Sequence, residues 1–370
     1  MTPEDTFLEA IVEEPDDDGL RLIYADWLDE NAQPERADFI RVQVERARLP
    51  DNDARQWDLA ERERQLLAEH EAAWTSALQP FVLRCGFRRG FIEEVAVNAL
   101  TLVNHAQTIF RLAPVRHLAV RRVVSFARSR TDAASQAAHL LEFAPDWQTI
   151  DLAREGIRDV GLIHGLLARW DDFPALTRLN LNGNGLTQQS IESFAGSPLL
   201  AQLASLELSA NRFGPTGWTD ILRSPFCERL RELGLGHNGL TDKEVSLFRG
   251  PLAAQRLAKL DLSFNPLGVA GALALSATAP VLTGLRELYL SRTHLGDDGL
   301  RELASGPLLS QLHTLDLSLN RITDAGAREL LAYPHATQLH RLDLIYNNIS
   351  PSMMEELSRR FGERVCLFLR

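Results

Sequence analysis

Leucine residues follow a fixed phrase between residues 176 and 349. The phrase is Leu, two residues, Leu, one residue, Leu, two residues, a polar residue, one residue, and then an aliphatic residue or Phe. Its seven copies start 27 or 28 residues apart, at Leu176, Leu203, Leu230, Leu257, Leu285, Leu312 and Leu339. Such regularity predicts a solenoid, in which each repeat is a small structural unit that stacks on its neighbours.

Each copy predicts a short strand followed by a turn. In the copy that begins at Leu312, the apolar Leu315 and Leu317 alternate with polar residues, as in a strand with one buried face. Asn320 stands at the turn, where a buried amide can donate to and accept from unpaired main-chain groups. The equivalent residues are Asn184, Asn211, Asn238, Asn265, Thr293 and Asn347. Because Thr has no amide, we expect an irregular turn at Thr293.

Helical stretches follow the turns, and Thr241 and Glu244 have the spacing of a capping box. One strand and one helix cannot bury the apolar face of a single repeat, whereas stacked repeats can. The seven copies resemble leucine-rich repeats of the ribonuclease-inhibitor-like class. The resemblance implies an α/β leucine-rich-repeat solenoid, a horseshoe with a parallel sheet on its concave side and helices on its convex side.

Residues 1–80 predict a small all-α domain of four helices in front of the repeats. The segment Tyr24-Ala-Asp-Trp-Leu-Asp-Glu30, preceded by Glu14-Pro-Asp-Asp-Asp18, resembles the planctomycete repeat-companion domain. That resemblance implies no biochemical activity. Tyr24 and Trp27 are three residues apart on one helix face, so we expect them to pack in the core.

Weaker patterns flank the regular repeats. Alternating, strand-like segments and helical stretches follow one another at 91–97, 99–112, 115–120, 132–143 and 147–152. We interpret residues 81–175 as degenerate repeats that cap the solenoid. Residues 176–350 hold the seven regular repeats. Residues 351–370 predict a last helix and a closing strand over 364–368.

The net charge of −11 is unevenly distributed. Residues 1–80, the acidic head, hold 8 Arg and 21 Asp or Glu, whereas residues 81–130, the basic collar, hold 9 Arg and 2 Glu. Three interpretations stay open: the head docks on the collar, the collar binds nucleic acid, or both are solvated. The arginines of the nucleic-acid interpretation are Arg84, Arg88, Arg89, Arg121, Arg122, Arg128 and Arg130. The overall acidity argues against it.

No catalytic, cofactor-binding or metal-binding motif is found. The chain has only two lysines and no phosphate-binding glycine loop. His313 and His340 occupy equivalent repeat positions, but two histidines without a third ligand make a poor metal site. The three cysteines have the spacing of neither a metal site nor a disulfide framework. No apolar run is long enough to span a membrane, and the first residues do not resemble a signal peptide. We therefore expect a non-catalytic cytoplasmic protein without a cofactor.

The candidate binding site lies on the predicted concave face. The residue between the second and third Leu of each copy points out of the sheet, and we call this series the carboxylate column: Asp151, Asn180, Glu207, Gly234, Asp261, Tyr289, Asp316 and Asp343. Its carboxylates favour a partner with a basic surface. Ile345 and Tyr346 stand beside it, and with Tyr289 they resemble an interface hot spot. Phe264 can instead fill the interior of its turn, which favours the other three. The predicted partner-binding residues are Glu207, Asp261, Tyr289, Asp316, Asp343, Ile345 and Tyr346.

The sequence thus favours a scaffold that binds a protein partner by equilibrium binding. The alternative is an enzyme regulator, because the ribonuclease-inhibitor-like class includes inhibitors of basic ribonucleases and activators of Ran-type small GTPases. The inhibitor is rich in cysteine and this chain is not, which departs from that pattern. The sequence does not reveal the partner or the oligomeric state.

Overall fold

The computed structural model describes residues 3–50, 53–121, 147–157, 167, 174–211, 213, 217–246, 253–334 and 338–366. These residues fall into two compact units, the first up to Asp151 and the second from Leu152 onward. The first unit therefore includes both the predicted helical domain and part of the predicted capping repeats. The boundaries expected at residues 80, 175 and 350 remain predictions.

The first unit combines helices and strands. In chain order they are α1 (Pro3–Glu13), α2 (Asp18–Glu30), α3 (Pro34–Arg48), α4 (Arg55–Thr75), β1 (Arg84–Arg88), β2 (Phe91–Asn98), α5 (Ala99–Leu112), β3 (His117–Arg121) and β4 (Thr149–Asp151). β1 pairs antiparallel with β2, and β2, β3 and β4 pair in parallel. Strand β1 was not predicted, because its only alternation is Cys85 and Phe87 on either side of Gly86, which is too short a pattern to indicate a strand. The helix predicted over 132–143 lies outside the described residues.

Aromatic packing holds the helices of the first unit together. Tyr24 is buried, and its ring stacks on that of Trp27 with centroids 5.8 Å apart. Phe7 of α1 contacts both rings, and Phe91 of β2 approaches Tyr24 at 5.7 Å. The prediction that Tyr24 and Trp27 pack in the core is confirmed.

Ion pairs join the acidic head to the basic collar within this unit. The Arg21 guanidinium donates to the Glu93 carboxylate at 2.7 Å, and both side chains are fully buried. Arg116 donates to Asp16 at 3.0 Å, and this hydrogen bond lowers the pKa of the Asp16 carboxyl. Arg89 lies 3.7 Å from Asp18. The hypothesis that the head docks on the collar is confirmed for these residues.

The second unit repeats one strand and one helix. Its elements are β5 (Arg178–Asn180), α6 (Gln188–Ala195), β6 (Ser205–Glu207), α7 (Gly217–Arg223), β7 (Glu232–Gly234), α8 (Asp242–Ser246), β8 (Lys259–Asp261), α9 (Gly268–Ser276), β9 (Glu287–Tyr289), α10 (Gly296–Ser305), β10 (Thr314–Asp316), α11 (Asp324–Ala332), β11 (Arg341–Asp343), α12 (Pro351–Phe361) and β12 (Val365–Cys366). Strands β5 to β12 pair in parallel, each with the next. The unit is an α/β leucine-rich-repeat solenoid, and β12 is the closing strand expected near the end.

Asparagine side chains connect successive turns. The Asn238 amide donates to the carbonyls of Leu208 and Leu235 at 3.2 and 3.0 Å, one in the preceding repeat and one in its own. Its oxygen accepts the N–H of Asn211 at 2.8 Å. Because a buried N–H or C=O without a partner is costly, these bonds explain why Asn recurs at this position.

The turn before Thr293 departs from this pattern. In regular turns the N–H of the residue two after the Asn, such as Leu240, donates to the amide oxygen of the next repeat. At the equivalent place Leu267 donates to the carbonyl of Asn265 at 2.9 Å. The irregularity expected at the turn of Thr293 therefore lies one repeat earlier, because the N–H groups of Thr293 and Leu295 both donate to the Asn320 amide oxygen in the regular way. The capping box is also present, since the Glu244 carboxylate accepts the N–H of Thr241 at 2.6 Å.

Candidate partner-binding site

The parallel register aligns the carboxylate column across the second unit. Glu207, Gly234 and Asp261 are paired on successive strands, and Tyr289, Asp316 and Asp343 continue the series. The leucines on either side of each are buried, so the column occupies the other, exposed face of the sheet. The six outward positions run in one line because every repeat pairs with the same register. Asp151 belongs to the first unit, where Arg121 binds it at 2.6 Å.

The aspartates of the column also have a structural role. Asp261 and Asp316 each accept the N–H of the serine two residues later at 2.8 Å, and Asp343 accepts that of Ile345 at 3.1 Å. Asn180 makes the same bond to Asn182 at 3.1 Å without a charge. One carboxylate oxygen therefore closes the end of its own strand. The charge is not needed for that bond, which leaves it available for a partner.

Glu207 lies across the glycine of the next strand. A Cβ at Gly234 would overlap the Glu207 carboxylate, so the missing side chain makes room for it. Burial raises the pKa of Glu207, and the neighbouring charge of Asp261 raises it further. Asn182 hydrogen-bonds the same carboxylate. Glu207 thus extends toward Asp261, and the two charges lie on one part of the face.

Two other carboxylates of the column face each other directly. Asp316 and Asp343 are paired residues on neighbouring parallel strands. Burial raises the pKa of Asp343, and the charge of Asp316 adds to this. Arg341 is 3.8 Å from Asp343. Like charges directly opposite each other on neighbouring strands disfavour the fold, and a basic group from a partner would relieve that repulsion.

Tyr289 is half-buried rather than free. Its hydroxyl donates to the Glu287 carboxylate at 3.0 Å, and the Lys259 ammonium lies 5.2 Å from the ring centroid. Burial and the bond to Glu287 raise the pKa of Tyr289 to about 12. Ile345 is also half-buried, whereas Tyr346 is 60% exposed. Tyr289 and Ile345 therefore stand at outward positions like the carboxylates, and Tyr346, at the end of its strand, is the most accessible of the three.

Sequence reasoning underestimated the residues at the ends of the strands. Phe264 does not fill its turn, because it is 45% exposed and its backbone has a φ of 60°. Its ring packs beside His237, with centroids 6.3 Å apart, and the Arg292 guanidinium lies 5.7 Å from its centroid. A left-handed backbone reverses the direction in which the side chain leaves the strand, and no periodicity of leucines reports it.

Three of the seven arginines of the nucleic-acid alternative are paired within the first unit. Arg88 binds Glu94, Arg89 binds Glu93 at 3.2 Å, and Arg121 binds Asp151. Arg84 is exposed. Arg122, Arg128 and Arg130 lie outside the described residues. The paired arginines are less available for phosphate groups, since a phosphate would have to displace a carboxylate.

Candidate chemistry beyond binding is limited. The rings of His313 and His340 stack with centroids 4.7 Å apart, as neighbouring strands place them, and both side chains are exposed. Within the described ranges, no group of three or more His, Cys, Asp or Glu side chains is arranged to hold a metal ion. The helices of that same part of the chain are all too short or too polar to cross a membrane.

Comparison with known proteins supports the repeat assignment. A family model described as Leucine Rich repeat matches residues 257–276, 282–304 and 310–331. A second model, Leucine Rich Repeat, matches residues 175–197. No curated protein matches the chain. The segments matched are leucine-rich repeats, and they include four of the seven copies of the phrase.

The solved structures that match this chain share little sequence with it. A protein from Bacteroides fragilis, a structural-genomics target, is 15% identical over 86% of this chain and 85% of its own, with a TM-score of 0.42. TLR13 in complex with ssRNA13 is 18% identical over 69% of this chain and 36% of its own, with a TM-score of 0.38. The plant peptide hormone receptor RGFR1 in complex with RGF2 is 17% identical over 60% of this chain and 35% of its own, with a TM-score of 0.32. The chain thus spans about a third of the length of the last two, and all three TM-scores are below 0.5.

Proposed function

We propose that this protein is a non-catalytic scaffold that binds a protein partner on the exposed face of its repeat sheet. The observation that carries the proposal is the alignment of Glu207, Asp261, Asp316 and Asp343 in one column. Aligned carboxylates attract a basic surface and orient it. Tyr289, Ile345 and Tyr346 add the aromatic and aliphatic contact area that interface hot spots use.

The finer assignments are part of the same proposal. The repeats are of the ribonuclease-inhibitor-like class, and the N-terminal helices are a repeat-companion domain that caps or tethers the solenoid. The protein acts in the cytoplasm. Binding by a preformed surface needs no bond chemistry, and leucine-rich repeats generally serve this purpose.

The experiment compares affinity capture from a lysate of the source cells by two baits. One is the intact chain and the other carries Asp261→Asn, Asp316→Asn and Asp343→Asn. Asparagine removes the charge but keeps the acceptor for the strand-end N–H, as Asn180 does. The proposal expects the intact chain to hold a partner that the variant loses, while the variant unfolds at a temperature no lower than that of the intact chain. Equal capture by both baits would refute binding at the column.

A matched control changes carboxylates elsewhere. Asp298 and Glu302 lie on helix α10, away from the sheet face, and Asp298→Asn with Glu302→Gln removes charge there. Capture by this control should equal that by the intact chain. A purified partner should also bind less tightly to a chain with Tyr289→Ala and Tyr346→Ala, whose thermal unfolding stays near that of the intact chain.

The enzyme-regulator alternative keeps the same surface and adds a consequence. A basic ribonuclease or a Ran-type GTPase would then change its rate when the chain is added. Rate assays with and without the chain separate this alternative from a passive scaffold.

A further inference from the structure

Large exposed side chains stand at the ends of five successive strands. They are His237, Phe264, Arg292, Leu319 and Tyr346, and we call them the turn strip. Each follows the carboxylate-column residue of its own strand by three positions. Phe264, Leu319 and Tyr346 are 45, 39 and 60% exposed. Aromatic residues and Arg at the core of an exposed strip have the composition of interface hot spots.

What the turn strip contributes to the fold does not explain its composition. All five residues have a left-handed backbone, with φ between 53° and 60°. This conformation costs about 1–2 kcal/mol for a residue other than glycine. Earlier repeats have Gly183 and Ala210 at the equivalent positions. Phe264, Leu319 and Tyr346 thus have a strained backbone and side chains that are about half exposed, and packing does not require large apolar residues at these positions.

Small residues separate the strip from the carboxylate column on four of the five strands. They are Gly236, Ser263, Ser291 and Ser318, and the fifth strand has Ile345 at this position. Ser263 and Ser291 are buried, and the Ser318 hydroxyl donates to that of Ser291 at 2.8 Å. Strands lie about 4.8 Å apart, so the column from Asp261 to Asp343 extends about 14 Å and the strip about 19 Å. From β7 to β10 the two rows border a floor of small side chains, and Ile345 ends this floor on β11.

The charge of the surface limits what it can bind. The carboxylate column holds Glu207, Asp261, Asp316 and Asp343 and no Lys or Arg between β6 and β11. Asp316 and Asp343 oppose each other directly. A phosphate chain would be repelled there, whereas a lysine or arginine would be attracted.

We propose that the column and the strip together bind an extended segment of a protein partner in which basic and apolar side chains alternate. The proposal rests on the proposed function, that this sheet face binds protein, and names the chemistry of the partner. Alternate side chains of an extended chain point to opposite sides. Basic ones face Asp261, Asp316 and Asp343, and apolar ones face the turn strip. At about 3.3 Å per residue, about six residues cover the strip.

Fluorescence anisotropy with labelled synthetic peptides tests this proposal. The peptides have about eight residues, slightly more than the six or so that cover the strip. One probe alternates Arg with Leu or Tyr, one Arg with Ser, and one Glu with Leu. A single-stranded oligo(dT) of similar length is the fourth probe. The full chain should bind the Arg–Leu/Tyr peptide about tenfold more tightly than any other probe, a difference of about 1.4 kcal/mol.

The decisive variant replaces Phe264, Leu319 and Tyr346 by Gly. Glycine suits their left-handed backbone, so thermal unfolding should change little as relief of strain offsets lost apolar contact. The variant should bind the Arg–Leu/Tyr peptide about tenfold more weakly, with its affinity for the Arg–Ser peptide unchanged. A control with Val269→Ala and Leu273→Ala, residues of α9 that are 42 and 45% exposed, should bind like the intact chain.

Four outcomes would overturn the inference. The Arg–Ser peptide binding as tightly as the Arg–Leu/Tyr peptide, or the glycine variant keeping full affinity, removes the strip from the site. Both leave the carboxylate column, and with it the proposed function, in place. The absence of peptide binding, or tighter binding of oligo(dT), rejects the partner chemistry. The proposed function itself fails separately, when the Asp→Asn variant captures the same partner as the intact chain.

Discussion

The Asn320 side-chain oxygen accepts the N–H of Thr293 at 3.0 Å, and the Thr293 hydroxyl lies 3.1 Å from the same oxygen. The Thr293 hydroxyl also lies 2.7 Å from the carbonyl of Leu290, in the place that an Asn amide would occupy. A threonine can therefore replace an asparagine in the bonds that it makes to the following repeat and within its own turn. On the other side it offers no amide oxygen to the preceding turn, and Leu267 there bonds within its own turn.

Replacing Asn320 by Ala should destabilise the repeats strongly. The amide donates to the carbonyls of Leu290 and Leu317, at 2.6 and 3.1 Å, and accepts from Thr293. Each buried main-chain group left without a partner costs about 1–3 kcal/mol, so we expect a loss of at least about 3 kcal/mol. Asn320→Thr should cost clearly less, because Thr293 shows that a hydroxyl can replace part of the bonding. Urea unfolding measures both, and equal losses would contradict this account.

The free energy of unfolding should depend on which side chain stands at position 319, because the backbone there is left-handed. Leu319 has a φ of 58°, a region that β-branched residues avoid. We expect Leu319→Val to lower the free energy of unfolding by about 1 kcal/mol, and Leu319→Gly to leave it unchanged or raise it. The matched pair Leu273→Val and Leu273→Gly, in helix α9, should show the reverse order. Thermal unfolding of the four variants is the measurement. Glycine being the worse residue at both positions would refute the role of the left-handed turn.

Breaking the buried ion pair of the first unit should be costly. Arg21 donates to Glu93 at 2.7 Å and to the carbonyl of Pro15 at 2.7 Å. Arg21→Met leaves a buried carboxylate and a carbonyl without this donor, with an expected loss of about 3–5 kcal/mol. The control is Arg41→Met, which removes exposed pairs and should cost at most about 1 kcal/mol. Chemical unfolding followed by circular dichroism compares them, and similar losses would show that burial does not matter here.

Glu207→Gln should stabilise the protein at neutral pH. Burial and Asp261 raise the folded-state pKa of Glu207, so the folded state binds its proton more tightly than the unfolded state does. The stability this gives is complete below the unfolded pKa, about 4.3, and is lost as pH rises through the folded pKa. The variant, which cannot ionise, avoids that loss. Its melting temperature should exceed that of the intact chain at pH 7 and converge with it near pH 4. A difference independent of pH would contradict the assignment.

The sequence alone determined the repeat architecture. Leucines in a period of 27 or 28 residues have one way to be buried together, which is a stack of strands with the leucines on one side. The recurring Asn and the exception at Thr293 followed from hydrogen-bond requirements that are local to each turn. The carboxylate column could also be predicted, because equal repeat lengths place equivalent residues side by side.

Only the tertiary structure decided three other matters. It showed that the acidic head meets the basic collar, because a contact such as that of Arg116 with Asp16 joins residues a hundred positions apart. It revealed β1, whose strand conformation depends on pairing with β2 rather than on its own pattern. It also turned Phe264 outward and aligned it with Leu319 and Tyr346. The sign of φ at a turn is set by the bonds that close the turn, and hydrophobic periodicity carries no information about it.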